Sequence, residues 1–284
     1  MGESPCFMCL FPPDEPWPSQ QQSQEESRSM RITQPLASCF TYTLGKNLYV
    51  PLTSRSNART LPETRGPNFL LDAEVVAALC RVRDEEQGKK QWAPWCLYLD
   101  TQETKQKLPV PLETIAALPE CSGERLPRIQ DLYSQVIEAL KRRPDFESIV
   151  LSGEGEPTLR LQDMVRLVHD LHSSTEVAMP PIRLTTNGLV DSPEDVVPQI
   201  MACGITSISV ALMTADPEQY NELMAPVETN GHEKVCSLIK HAVNSGLEVE
   251  TTAVDRPEVD KHKVEMLSQS LHVPGPVRWR PFFP

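Results

Sequence analysis

Six short apolar runs constrain this chain more than any other feature. They are "NLYVPLTS" (47–54), "ESIVLS" (147–152), "IRLTTN" (182–187), "TSISVALM" (206–213), "LEVETTAV" (247–254) and "VRWRPF" (277–282). Each is rich in β-branched or aromatic residues and is bounded by polar or turn residues, as buried strands are. The intervals carry helical periodicity instead. In "LPRIQDLYSQVIEALKRR" (126–143), Ile129, Leu132, Tyr133, Val136, Ile137 and Leu140 recur at i, i+3, i+4. Further helices are predicted over 161–173, 192–203 (ended by Gly204), 217–224, 232–245 (ended by Gly246) and 260–271. Another is predicted over 72–86, with Asp72 near its N-cap, and "APWCLYLD" (93–100) reads as an inserted strand. Strands joined by crossover helices pair in parallel. The expected class is therefore α/β, with six main strands and five crossovers fitting an open, partial (β/α)6 barrel. A doubly wound sheet shares this periodicity and stays open as the other arrangement.

Length and composition bound the rest. The chain has 284 residues, enough for one large α/β domain or two small ones. Residues 1–43 are rich in Pro, Ser, Gln and Glu, bury too little apolar surface to offset ordering entropy, and are expected to be a disordered tail. The barrel then occupies 44–284. No run approaches the roughly 18 apolar residues of a membrane span. The net charge of −12 opposes nonspecific contact with nucleic acid or anionic membranes. The N-terminus has no secretory n-region and h-region, and Cys6 stands where myristoylation after Met1-Gly2 wants Ser or Thr. Eight scattered cysteines then read as free thiols of a cytoplasmic protein.

The candidate site begins where strand 147–152 stops, at "SGEGEPT". In a parallel α/β fold, ligands gather at the C-terminal strand ends. Gly153 and Gly155 permit close backbone approach, and Glu154 and Glu156 would repel a phosphate, so the loop suits an ammonium- or hydroxyl-bearing ligand. Thr186 and Asn187, Ser207 and Ser209, and Asp255 lie at or near other strand ends and converge on the same mouth.

Taken in order, "IVLSGEGEPTLRL", "RLTTNGL", "SISVALMTADPEQYNELMAP", "AVDRPEVD" and "VRWRPFF" resemble the strand ends of radical S-adenosylmethionine (SAM) proteins, nearest to the bacterial group associated with TatD-type nucleases. The resemblance runs from about Leu44 to the C-terminus and implies a partial TIM barrel of aldolase type. It also implies that Gly153, Glu154, Gly155, Glu156 and Pro157 face the methionine part of SAM. Asn187 and Ser209 would line the pocket near the sugar or substrate.

That family also carries three cysteines after its first strand, spaced C-x3-C-x2-C, to hold a four-iron, four-sulfur cluster. Here the resemblance places Ser56, Thr60 and Glu63 at those positions. Two hydroxyls and a carboxylate are not expected to assemble such a cluster, so SAM or a related molecule would bind without the usual radical chemistry. An active enzyme with other cluster ligands and a non-catalytic interaction scaffold are the alternatives. The same loop carries Arg55, Arg59 and Arg65, which as guanidinium groups could recognise an anion at the mouth or pair with neighbouring acids. Oxygens of Ser56, Thr60 and Glu63 would suit a hard cation if any metal bound there.

Other candidates carry less. Cys6 and Cys9, with Cys39, could supply three thiolates but match no cluster spacing. Cys80, Cys203 and Cys236 fall on helix patterns as core residues, and Cys96 and Cys121 carry no signal. His169 and His172 share a helix face without a third ligand. Trp92, Trp95 and Tyr98 would cover one end of the barrel or meet a partner. Arg278 and Arg280 share a face of the last strand and could meet Glu154 or Glu156, or solvent.

Overall fold

The computed structural model describes residues 40–71 and 127–284, with Val75, Ala78, Leu79 and Val82 between them. Seven strands form one sheet in sequence order, from β1 (Tyr42–Leu44) and β2 (Asn47–Val50) through β3 (Ser148–Leu151), β4 (Ile182–Thr186), β5 (Ser207–Ala211) and β6 (Glu248–Asp255) to β7 (Arg278–Pro281). β1 pairs antiparallel with β2, and every later pair is parallel. An order that never reverses excludes the doubly wound sheet, which needs a switch point. The sheet is the curled half-barrel expected of a partial TIM fold.

The six expected strands are present as the parallel set β2–β7, and a short antiparallel strand, β1, adds a seventh ahead of them. That strand, Tyr42–Leu44, begins inside the segment assigned to the tail. Gly45, at φ +59, turns the chain between β1 and β2. The tail before residue 40, the 93–100 strand, the aromatic residues Trp92, Trp95 and Tyr98, and Cys6, Cys9, Cys39, Cys80, Cys96 and Cys121 lie outside the described residues. Of the 72–86 helix, Val75, Ala78, Leu79 and Val82 are described, all helical and buried.

The helices are α1 (Leu61–Thr64), α2 (Ile129–Arg142), α3 (Leu161–His172), α4 (Pro193–Ala202), α5 (Pro217–Met224), α6 (Gly231–Asn244) and α7 (Lys261–Ser270). Their apolar stripes meet the outer face of the sheet. α2 buries Leu132, Val136, Ile137 and Leu140, and α3 buries Met164, Leu167, Val168 and Leu171 at the same helical spacing. Facing them are Leu48 and Val50, Ile149 and Leu151, Ile182 and Leu184, and Ile208 and Val210, alternate residues of successive strands in one core. Alternation sends the intervening residues to the concave face: Tyr49, Val150, Arg183, Thr185, Ser209, Glu250, Arg278 and Arg280. Two helix-side contacts pin this phase. Thr251 Oγ1 meets Ser268 Oγ of α7 at 2.8 Å, and Trp279 Nε1 donates to Glu265 Oε1 of α7 at 2.9 Å.

A smaller cluster joins Tyr42 with Val75, Ala78 and Leu79, against Tyr49 and Leu71. The Tyr42 and Tyr49 rings stack 5.1 Å apart. Apolar packing therefore closes the β1–β2 side.

Leu184 is fully buried in the central strand. Leu184→Ala is expected to cost roughly 2–5 kcal/mol, and Met266→Ala, at a 53% exposed position on α7, less than about 0.5 kcal/mol. Urea unfolding of the two variants beside the parent checks both values.

Candidate functional site

The rim begins at the end of β3, where Gly153-Glu154-Gly155-Glu156 leads into a 3-10 turn, Pro157–Arg160. Glu156 caps that turn and is 3% exposed. Its Oε1 accepts from Thr158 N (3.0 Å), Thr158 Oγ1 (2.8 Å) and Thr186 Oγ1 (2.7 Å), and its Oε2 accepts from Asn187 N (2.7 Å). Both oxygens are thus engaged within the protein, and the side chain ties the β3 loop to the end of β4. The expectation that Glu156 presents its own oxygens to a ligand gives way to a positioning role. Burial pushes its pKa up, while the four donors pull it down, and it stays above the ordinary carboxylate value.

Glu154, between the two glycines, is half-buried at the mouth. The glycines serve packing as well as access. A Cβ on Gly155 would lie 2.4 Å from Arg55 O and 2.5 Å from Thr53 O, and one on Gly153 would lie 2.5 Å from Pro51 Cβ. The acidic loop therefore presses on the segment that follows β2, and Glu156 N donates to Arg55 O at 2.8 Å. Pro157 is buried beneath the turn.

Residues 51–69 run as a strap across the rim. Asn57 Nδ2 donates to Leu189 O (2.9 Å), and Asn187 Nδ2 donates to Asn57 Oδ1 (2.8 Å). Val227 N donates to Asn57 O at 3.0 Å. Arg59 reaches the C-terminal end of α5, its Nη1 donating to Leu223 O at 2.7 Å, where a cation satisfies the last carbonyls. Arg256 Nη1 donates to Thr64 O at 3.2 Å. Arg65 Nε donates to Pro281 O at 2.7 Å, with its guanidinium over Phe69, and Phe283 N donates to Arg65 O at 2.8 Å. The strap meets the ends of β3, β4, α5, β6 and β7 in turn.

These contacts separate the three loop arginines. Arg59 caps a helix and is withdrawn from the expected anion site. Arg65 joins β7. Arg55 contributes its backbone, and among the described residues no hydrogen bond or ion pair holds its guanidinium. Ser56 Oγ accepts from Ala58 N at 3.3 Å, and Glu63 Oε2 accepts from Thr60 N (2.8 Å) and Thr60 Oγ1 (2.7 Å) at the start of α1. These are local capping bonds.

Ser209 lies on the concave face, donating from Oγ to Glu250 Oε2 at 2.9 Å. Arg278 Nη1 donates to the same oxygen at 3.1 Å. Arg278 therefore meets Glu250, not Glu154 or Glu156. Asn187 is 3% exposed, and its carboxamide turns toward Asn57 and Leu189 N. Gly188 follows it at φ +81, a conformation that lets the chain turn out of β4. Met213, at the end of β5, is buried with φ 63, a strained backbone for a side chain of its kind. Asp255 ends β6 and pairs with Lys261 at 2.6 Å. At the rim, a cavity of about 500 Å³ opens between the 3-10 turn, the loop after β4 and the α5–α6 loop, with Asn57, Leu189 and Lys234 in its wall. Lys234 pairs there with Asp191 and Glu228.

Cys203 is buried and Cys236 partly buried, as expected for core positions, and burial pushes both thiols up. His169 and His172 are exposed. Among the described residues no group of three His, Cys, Asp or Glu side chains is placed to hold a metal. Sequence reasoning missed Asn57, Arg183 and Glu250. The signal for the last two was a charged residue at an inward position of a buried strand.

The family model described as the Radical SAM superfamily matches residues 121–270, more than half of the chain and downstream of the strap. Similar solved structures include methylornithine synthase (PylB), at 19% identity and TM-score 0.43, covering 76% of this chain and 62% of that one. TYW1 with a lysine-pyruvate adduct bound is 14% identical, at TM-score 0.41, over 55% of this chain and 53% of that one. The radical S-adenosylmethionine methyltransferase TsrM from Kitasatospora setae is 15% identical, at TM-score 0.38, over 55% and 30%. The chain thus covers less than two thirds of each of these structures. No curated protein matches it closely enough to count as a relative.

Two substitutions test the rim. Gly155→Ala drives a Cβ into strap backbone and is expected to cost roughly 1–3 kcal/mol and to speed limited proteolysis within 51–69. Glu156→Gln sets an amide donor against donors and should destabilise. Because Glu156 carries a folded-state pKa above its unfolded one, its titration favours the fold in acid and that contribution is lost as pH rises through the folded value. The parent's advantage over Glu156→Gln should therefore be larger at about pH 5 than at about pH 8, read from urea midpoints.

Proposed function

This chain belongs to the radical SAM superfamily, and on that premise we propose that it binds SAM, or a related small molecule bearing an amino acid, at the mouth of its half-barrel. The observation that carries the reading is the acidic glycine loop, which lies inside the matched region and at the C-terminal end of a central parallel strand. Glu154 is the residue we assign to the ligand's ammonium group, since a half-buried carboxylate at a strand end favours a cation. Glu156 acts at one remove, holding Thr186 and Asn187 in place. Gly153, Gly155 and Pro157 set the loop's path, and Ser209 is assigned to the sugar or substrate side.

The usual four-iron cluster does not fit the residues present. Thiolates are the donors such clusters need. The three corresponding positions hold Ser56, Thr60 and Glu63, and their oxygens take part in capping bonds of the strap itself. The strap is fixed instead by Asn57, Arg59 and Arg65. We therefore favour ligand binding without reductive SAM cleavage. A cytoplasmic location and a small-molecule rather than nucleic-acid partner complete the proposal, in keeping with the net charge of −12. No described helix is long and apolar enough to cross a membrane.

Calorimetry and anaerobic reconstitution test the two halves separately. SAM should bind saturably to the full chain, with Glu154→Gln weakening it by roughly tenfold. Reconstituted protein should stay colourless, with iron and sulfide far below one cluster per chain. Absence of heat with SAM, S-adenosylhomocysteine and methionine would leave a scaffold reading in place of a binding one. Brown protein with a full complement of iron would instead mark an active enzyme with unusual ligands.

A further inference from the structure

The concave face of the sheet is strongly cationic on one side. Arg183 of β4 and Arg278 and Arg280 of β7 all point inward by strand alternation, opposite Leu184 and Trp279 on the helix side. Glu250 of β6 is the acid held among them, by Ser209 at 2.9 Å and Arg278 at 3.1 Å. Glu248, exposed and two residues earlier, shares its inward phase. Three guanidinium groups against two carboxylates leave one positive charge over. The strap adds Arg65, anchored by its Nε to Pro281 O at 2.7 Å. Arg65 is pulled down to about 10 by burial and by Arg280 and Arg278. Burial and the neighbouring Arg278 and Arg183 likewise lower Arg280, against the opposing pull of Tyr49 and Glu250.

Within this cluster the Nε atoms of Arg183 and Arg280 are buried and have no hydrogen-bond partner among the described residues. A guanidinium stays charged at neutral pH, and a buried N–H without an acceptor destabilises the fold. A face that served packing alone would be apolar, as it is on the β1–β2 side around Tyr42 and Tyr49. Arg278 is half exposed, with 48% of its side chain open, so charge runs from the solvent edge to the depth.

We propose that the concave face around Arg183, Arg278 and Arg280 is a binding site for a small oxyanion, a molecule presenting a phosphate or carboxylate group to the guanidinium forks. Arg183 and Arg280 would supply the buried donors. Arg278, oriented by Glu250 and Ser209, would meet the anion at the edge. Planar forks match such oxygens two at a time, which favours an oxyanion over chloride. The site shares Ser209 with the pocket proposed for SAM but uses neither Glu154 nor an ammonium group, so inorganic anions test it apart from SAM binding.

Thermal unfolding of the full chain at constant ionic strength tests this, with chloride replaced stepwise by inorganic phosphate or by malonate. The parent's Tm should rise saturably with at least one of the two, and which one identifies the anionic group. Arg183→Gln and Arg280→Gln should each weaken that response by about tenfold or more. In chloride alone both should melt no lower than the parent, because each removes a buried Nε–H that has no acceptor. Arg166→Gln, at a 74% exposed position on α3, should behave as the parent. No response of the parent to either anion, an equal response in all variants, or variants that melt lower in chloride would each overturn the proposal.

Discussion

A single buried carboxylate organises the rim of this protein. Glu156 is almost inaccessible to water, yet four donors from Thr158, Thr186 and Asn187 converge on it. A buried charge is tolerated only with such compensation, and removing part of it leaves the rest uncompensated. The β3 loop and the β4 end are therefore locked as one unit. Asn187, held by its backbone to Glu156, passes the constraint through its carboxamide to Asn57 and so to the strap. The position of Glu154 at the mouth follows from this network.

Segment 51–69 has little regular structure of its own, so its path must be held by contacts with the strand ends. It is held by carbonyl–amide bonds, by Arg59 at the end of α5 and by Arg65 between two phenylalanine rings and β7. Arginine suits this role, because one side chain both stacks on an aromatic ring and donates to a carbonyl. Glycine at 155 makes the approach possible, since any Cβ there would meet strap backbone.

The two faces of the sheet follow different rules. The outer face is a continuous apolar core under helices, close-packed. The concave face mixes apolar packing at β1–β2 with guanidinium groups at β4 and β7. Charges placed where packing alone would choose apolar residues weaken a fold, and such places are where binding is expected.

Much of this was readable in the residues. Strand and helix periodicity specified a parallel α/β sheet, and Ile129 to Leu140 marked the buried face of the first long helix correctly, because burial against a sheet leaves a repeat of fixed period. The site was legible as a place, at the end of "IVLSGEGEP", but not as a set of roles. Glu154 and Glu156 look alike in sequence. Only the fold turns one inward onto Thr186 and Asn187 and leaves the other at the mouth. Arg55, Arg59 and Arg65 likewise read as one basic group and separate in three dimensions. The pairing of Asn57 with Asn187, and of Ser209 with Arg278 through Glu250, spans segments far apart in the chain. Periodicity is a local property and reports which face a residue takes. Which distant residue it meets there depends on strand order and register, and those are settled when the whole sheet closes over its core.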